Sequence, residues 1–236
     1  TSLPVAAALS CSFNDDALYK CGRIVKTEME IFKADVWLAP AMNIMRDPRC
    51  GRNFEYYSED PYITYRAAIN MVIGVQDKTN IKVCLKHFAC NNQENNRTHS
   101  NSVVGIRTLR EIYLRGFEKV IKYAGPYALM TSYNLINGEH ASSSHLLLND
   151  ILRNEFLFTG LVITDWISSG DKNNPRSINE SAYASKNIKA GVNINMPGKK
   201  SDIKDIENAL KSGFLTLGEL KDNCSIILNK IEEVKH

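Results

Sequence analysis

Leu161-Val162-Ile163-Thr164-Asp165-Trp166 is the stretch whose reading decides the fold. Three apolar residues and a β-branched Thr stop at an acid followed by an aromatic. A short continuous run of this kind reads as a strand buried on both faces, as in parallel sheets. Asp165 then falls at the carboxyl end of the strand, where α/β sheets and barrels place their chemistry. Such an acid has two readings. It caps a helix or pairs with a cation, or it is a carboxylate nucleophile with Trp166 as a flat apolar neighbour for a sugar ring.

Working outward, the chain alternates short apolar runs with longer amphipathic ones. The other candidate strands are Val36–Ala41, Ile81–Leu85, Tyr127–Ser132 and Val192–Met196. Candidate helices span Asp15–Lys33, Glu59–Gln76, Val104–Tyr123, His145–Glu155, Ser177–Ala190, Asp202–Ser212 and Thr216–Val234. Apolar residues recur at helical spacing in several of them, as at Ile106, Leu109, Ile112, Tyr113 and Phe117. Ser58-Glu59-Asp60-Pro61 is a helix start, and Gly125-Pro126, Gly191 and Gly213 are stops. Strands separated by helices predict parallel βαβ units. About five such units fit a (β/α)8 TIM-type barrel with some strands missing, with a doubly wound sheet as the competitor. No GxGxxG follows a strand, which argues against a nucleotide site. With no repeat, linker or low-complexity tract, residues 1–236 are read as a single domain.

Composition narrows the function. The 44% hydrophobic and 23% charged content is that of an ordinary globular chain, and 236 residues allow a substantial core. A net charge of +3, evenly spread, points to neither nucleic acid nor an anionic membrane as partner. No run of apolar residues is long enough to span a bilayer. Thr1–Cys11 lacks a basic leader and runs into a helical pattern, so it is not read as a signal peptide. The six cysteines form no CxxC pair, and Cys84 sits inside an apolar run, which favours buried thiols and a reducing, cytoplasmic-type compartment. The five histidines show no HxH or HExxH spacing, so neither a metal nor another cofactor is expected.

Polar residues crowd after the candidate strands. Asn43 through Glu55 follows the first, Lys86-His87 through Arg97 the second, and Tyr133-Asn134 the third. Neutral amides and cations at strand ends suit a ligand with many hydroxyls and little charge, such as a sugar.

At these residues a resemblance becomes specific. Leu38-Ala39-Pro40 through Arg46-Asp-Pro-Arg-Cys-Gly-Arg52-Asn-Phe-Glu55 to Pro61 resembles the N-terminal domain of glycoside hydrolase family 3. Lys86-His87-Phe88, Ser132-Tyr133-Asn134, Thr164-Asp165-Trp166 and Ala190-Gly191 with Met196-Pro197-Gly198 follow in that family's order. Asn91-Asn92-Gln93-Glu94 is similar to the β-glucosidase branch. The resemblance implies a barrel fold and a retaining exo-β-glycosidase acting on a terminal β-glucosyl residue or a short oligosaccharide. It also implies the roles. Asp165 would be the nucleophile, Arg52, Lys86 and His87 would hold sugar hydroxyls, Tyr133 would orient or stabilise Asp165, and Trp166 and Met130 would wall the subsite. Arg52, Lys86 and Tyr133 should then keep the pKa of Asp165 low. Each residue has a plainer reading too. Arg52 could pair with Glu55 or Glu59, His87 could be a core histidine, Glu94 and Arg97 a loop salt bridge, and Met130 packing.

Three departures stand out. The family's upstream Asp-Gly-Pro segment does not occur, so the barrel is expected to be incomplete at its N-terminal end, without its first strand and one ligand contact. No stretch matches the α/β sandwich domain that usually carries the general acid/base Glu, so that residue and domain are expected outside this chain, in cis or on another chain. In the family's Ala-Gly-x-Asp pattern, Asn193 holds the Asp place, and an altered structural hydrogen bond is expected there. The alternatives are a sugar-binding pseudoenzyme, a β-xylosidase of the same family and, more distantly, a barrel metal hydrolase.

Overall fold

The computed structural model describes residues 1–168 and 182–234. In chain order its strands are β1 (Val36–Trp37), β2 (Lys82–Phe88), β3 (Asn101–Ser102), β4 (Ala128–Thr131), β5 (Leu135–Ile136), β6 (Glu139–His140) and β7 (Leu161–Ile163). The helices are α1 (Ala6–Ser10), α2 (Asp15–Phe32), α3 (Pro61–Gln76), α4 (Ile106–Thr108), α5 (Arg115–Ala124), α6 (Ala184–Ala190), α7 (Lys200–Ser212) and α8 (Leu217–Glu232).

The main sheet is parallel throughout, in the order β1-β2-β4-β7, and a bridge from Ile163 to Ile194 extends it by one position. Spatial order therefore follows chain order. A doubly wound sheet reverses direction partway, whereas a barrel keeps one sense of crossover and puts all its helices on one face. Side chains alternate accordingly. Val83, Leu85, Leu129 and Val162 face the helix layer, in a core with Met71, Val75, Phe117 and Leu148. Cys84, Ala128, Met130, Leu161 and Ile163 face the other way, in a smaller cluster that Ile227 and Val234 help to cover. The architecture is the expected (β/α) barrel arrangement, and the sheet does not close on itself among the described residues.

Local chemistry explains most element ends. Asp60 caps α3 through its side chain, accepting from the amides of Tyr62 (2.6 Å) and Ile63 (3.1 Å), and Pro61 occupies the first helical position. The expected strand Val36–Ala41 is regular only over β1, because Pro40 has no N–H for the ladder. Pairing resumes at Ala41 opposite Lys86. The expected strand Val192–Met196 shrinks to the bridge at Ile194.

Two expected helices take a different form. Val104–Tyr123 divides into α4, a π-helical turn over Leu109–Tyr113 and α5, with the Leu114 amide reaching back to the Leu109 carbonyl (2.8 Å). His145–Glu155 becomes π-helical over Leu146–Glu155. An i→i+5 ladder leaves an apolar pattern too close to the helical period to be told apart in sequence. Part of the expected helix Ser177–Ala190 lies outside the described residues, and α6 begins at Ala184.

Beside the main sheet, β3, β5 and β6 form a small one, with β3 parallel to β5 and β5 antiparallel to β6. It ties the segment after β2 to the segment after β4, so their polar side chains are held over the same end of the barrel strands. No helix among the described residues is long and apolar enough to cross a membrane.

At the α2–α3 contact the helices touch through Gly22 and Gly74. A methyl group on Gly74 would lie 2.3 Å from the Tyr19 carbonyl oxygen, and one on Gly22 would lie 2.5 Å from that of Met71. Gly74→Ala is therefore expected to lower stability by about 1–3 kcal/mol, read as a lower thermal or denaturant midpoint. An unchanged midpoint would mean that the two helices can part without penalty.

Asn193 accepts from the Val162 amide (2.8 Å) and from an Arg153 guanidinium nitrogen (3.3 Å). Arg153 also donates to the carbonyls of Phe158 and Gly160, both at 2.7 Å. No carboxylate pairs with it among the described residues, and burial pushes its pKa down to about 10. Restoring the family's acid with Asn193→Asp should add a charge-assisted bond to a cation already desolvated. Stability should rise by about 1–2 kcal/mol, or roughly 2–8 °C in Tm. A lower Tm would show that burying the new carboxylate outweighs the pairing.

Candidate active site

Asp165 stands directly after β7 and Thr164, and it is only 6% exposed. Thr164 fixes the local path, its hydroxyl accepting from the Met196 amide at 2.8 Å. One carboxylate oxygen of Asp165, Oδ1, accepts from the Trp166 amide at 2.7 Å. The other, Oδ2, is buried and has no hydrogen-bond donor. Burial raises the pKa of Asp165, and the Trp166 amide, the Tyr133 hydroxyl and the charges of Arg52 and Lys86 oppose that rise only in part. The expectation of a low pKa is thus corrected. Neighbouring cations act in the predicted direction, but desolvation is the larger effect.

His87 is fully buried near the end of β2. Asn43 grips it at three points. Asn43 Oδ1 accepts from the His87 backbone amide (3.0 Å), Asn43 Nδ2 donates to the His87 carbonyl (2.8 Å), and Oδ1 lies 3.1 Å from the ring Nδ1. Because the amide's orientation is set by its backbone contacts, Nδ1 must carry the proton, and Nε2 presents a lone pair. Burial, with the charges of Arg52, Lys86 and Arg97, holds the His87 pKa well below its usual value, so the ring is neutral. Its Nε2 lies 3.5 Å from Asp165 Oδ2. This contact is no ion pair but two acceptors facing each other, neither supplied with a donor by the protein. A hydroxyl-bearing ligand is chemistry that fits such a pair.

The two cations share one carboxylate. Arg52 Nε is hydrogen-bonded to Glu55 Oε1, and Lys86 Nζ lies 3.5 Å from Glu55 Oε2. Burial disfavours the charge on Arg52, but Glu55, with Tyr56 and Glu94, more than offsets that and raises its pKa. The plain reading of Arg52, a pair with Glu55, is therefore realised, and it brings Arg52 and Lys86 together.

Tyr133 donates its hydroxyl to the Trp166 carbonyl at 2.8 Å, so it braces the residue after Asp165. Burial and the Asp165 charge push its phenol up to about 12, which keeps it a donor at neutral pH. Trp166 is half exposed, as a wall facing solvent would be. Met130 is buried among the side chains on the sheet's inner face, matching its packing reading.

Asn43 is a site residue to which the sequence reading gave no role, and Glu55 entered it only as a rival partner for Arg52. For Asn43 the available signal was an amide inside the apolar run Ala41-Met42-Asn43-Ile44. Neither Cys84 nor Cys90 offers a thiolate, since burial pushes both thiols far up. No group of three or more His, Cys, Asp or Glu placed to hold a metal occurs among the described residues.

Residues 1–229 match the glycosyl hydrolase family 3 N terminal domain. The chain is 38% identical over 217 residues to thermostable beta-glucosidase B of Acetivibrio thermocellus, covering 92% of this chain and 27% of that protein. It is 40% identical over 220 residues to an exo-alpha-(1->6)-L-arabinopyranosidase of Bifidobacterium longum, covering 93% of this chain and 27% of that protein. Beta-glucosidase 3B of Thermotoga neapolitana, solved in complex with glucose, superposes with a TM-score of 0.89 at 38% identity, over 99% of this chain and 32% of that one. The chain thus spans under a third of the length of these relatives. Family profile, superposition and the barrel order of the strands agree, and the chain belongs to glycosyl hydrolase family 3.

Proposed function

We propose that this chain supplies the nucleophile and the sugar-binding subsite of a retaining exo-β-glucosidase. The observation that carries this reading is the donor-free Oδ2 of a buried Asp165, facing a neutral His87 acceptor, with Arg52 and Lys86 alongside. In the proposed reaction Oδ2 attacks the anomeric carbon of a terminal β-glucosyl residue. The C1–O bond to the leaving group breaks, and a glycosyl ester forms on Asp165. Water then attacks C1, the ester bond breaks, and the sugar leaves with its original configuration. The leaving oxygen takes its proton from a general acid, which as a carboxylate then takes one back from the attacking water, and which is proposed as a Glu in a further domain outside this chain, in cis or on another chain.

Arg52, Lys86 and His87 hold the sugar hydroxyls in this scheme. His87 accepts a hydrogen from one hydroxyl, while the two cations donate. A sugar lacking one of those hydroxyls leaves a buried group unpaired, which is how such a site discriminates. The Trp166 amide keeps Asp165 Oδ1 occupied and Tyr133 braces the Trp166 carbonyl, so Oδ2 is the oxygen that attacks. Trp166 stacks on the ring, and Met130 closes the floor. The names of the relatives, a β-glucosidase and an arabinopyranosidase, support a pyranoside as the substrate class.

A 2-deoxy-2-fluoro-β-glucoside with a dinitrophenolate leaving group needs no acid and tests the nucleophile directly. A glycosyl adduct on Asp165 is expected by peptide mass analysis. Asp165→Asn should cut labelling on the order of 10⁴-fold. That variant should also raise Tm at pH 7, because a carboxyl whose folded pKa is raised costs stability once ionised. Undiminished labelling in Asp165→Asn would sink the assignment.

Labelling requires the ionised carboxylate, so its rate should fall as pH drops through the Asp165 pKa. Burial places that midpoint above the ordinary 3.8. A midpoint at or below 3.8, measured in the free protein, would contradict the desolvation seen here.

A further inference from the structure

We propose that Arg97, locked in place by Glu94, is a positioning residue that sets the orientation of Tyr133 and through it the aim of Asp165. The proposal rests on the glycosidase reading above and adds a residue pair to it.

The segment after β2 carries Asn91, Glu94 and Arg97 at three-residue spacing. Asn91 is buried and donates to the Tyr56 hydroxyl at 3.0 Å and to Glu94 Oε1 at 2.9 Å. Glu94 Oε2 accepts from an Arg97 guanidinium nitrogen at 2.8 Å. The guanidinium carbon Cζ of Arg97 lies 4.4 Å from the centre of the Tyr133 ring. Tyr133 then donates to the Trp166 carbonyl, and the Trp166 amide donates to Asp165 Oδ1. A continuous line of contacts therefore runs from the buried Tyr56–Asn91 pair to the carboxylate. Glu94 Oε1 also lies 3.9 Å from Arg52 Nε, so the same carboxylate sits close to both flanks of the site.

An ordinary loop salt bridge does not explain this arrangement. Exposed ion pairs contribute little, and an Arg that merely neutralises Glu94 has no reason to place its guanidinium over a phenol ring. A planar guanidinium stacked on an aromatic face restricts the tilt of that ring, which a flexible ammonium does poorly. Tyr133 donates its hydroxyl to the Trp166 carbonyl, and the tilt of its ring sets whether it reaches that acceptor. If Tyr133 tilts away, Trp166 loses its brace, Oδ1 loses its aligned donor, and the carboxylate is free to rotate. Sugar binding through Arg52, Lys86 and His87 does not require that alignment, but attack at the anomeric carbon does.

The test uses the fluoroglucosyl reagent on the intact protein and separates the saturating labelling rate from the half-saturating concentration. Arg97→Met is expected to lower the saturating rate about tenfold to a hundredfold, with half-saturation moved by less than about threefold. Glu94→Gln should change the rate in the same direction, and Arg97→Lys should recover part of what Arg97→Met loses. A Tm cycle of Arg97→Met, Tyr133→Leu and the double variant tests the contact without any chemistry. The combined loss should be smaller than the sum of the single losses. A saturating rate within about twofold of wild type in Arg97→Met, or additive Tm losses, overturns the proposal. Failure of the wild type to label would instead strike at the glycosidase reading, and the Tm cycle would still decide the Arg97–Tyr133 contact.

Discussion

Taking the Asp165 carboxylate out of water at the end of β7 is the constraint on which the site depends, because every neighbour must respond to that charge without cancelling it. A cation paired directly to Asp165 would recover the solvation energy and blunt the nucleophile. Instead Glu55 pairs with both Arg52 and Lys86, so their positive charge reaches Asp165 through space rather than through a direct pair. The protein gives Oδ1 a donor and leaves Oδ2 bare. Strain of this electrostatic kind is what a preorganised site stores in place of stability.

The barrel order of the strands makes such a site possible. Consecutive parallel strands end on the same side, so β2, β4 and β7 deliver His87, Tyr133 and Asp165 to one rim although these residues are far apart in the chain. The small β3-β5-β6 sheet adds a second tie between the segments after β2 and β4. Backbone pairing is thus what holds Arg97 over Tyr133 at a fixed height. Asn193 shows the same economy at the far end of β7, where one amide oxygen serves both the strand backbone and Arg153.

Much of this was legible in the sequence, for identifiable reasons. The run Leu161–Thr164 read as a buried strand and Asp60-Pro61 as a helix start, since local periodicity and capping chemistry act over a few residues. The motifs carrying Lys86, His87, Tyr133 and Asp165 marked strand ends. The π-helical stretches stayed hidden, because a one-residue lengthening of the hydrogen-bond ladder barely alters an apolar pattern. Glu55 was read only as a rival explanation for Arg52, when it is the group that joins Arg52 to Lys86.

By itself the sequence determined where most of the main-sheet strands and the long helices lie, the parallel pairing that follows from their alternation, and the polar residue types that follow those strands. These rest on spacing along the chain. The tertiary structure alone decided that His87 is a neutral acceptor, that Asp165 has a raised rather than a lowered pKa, and that Arg97 lies on Tyr133. Each of these depends on burial and on distances between residues that only folding brings together, and a balance between desolvation and charge has no signature in residue order.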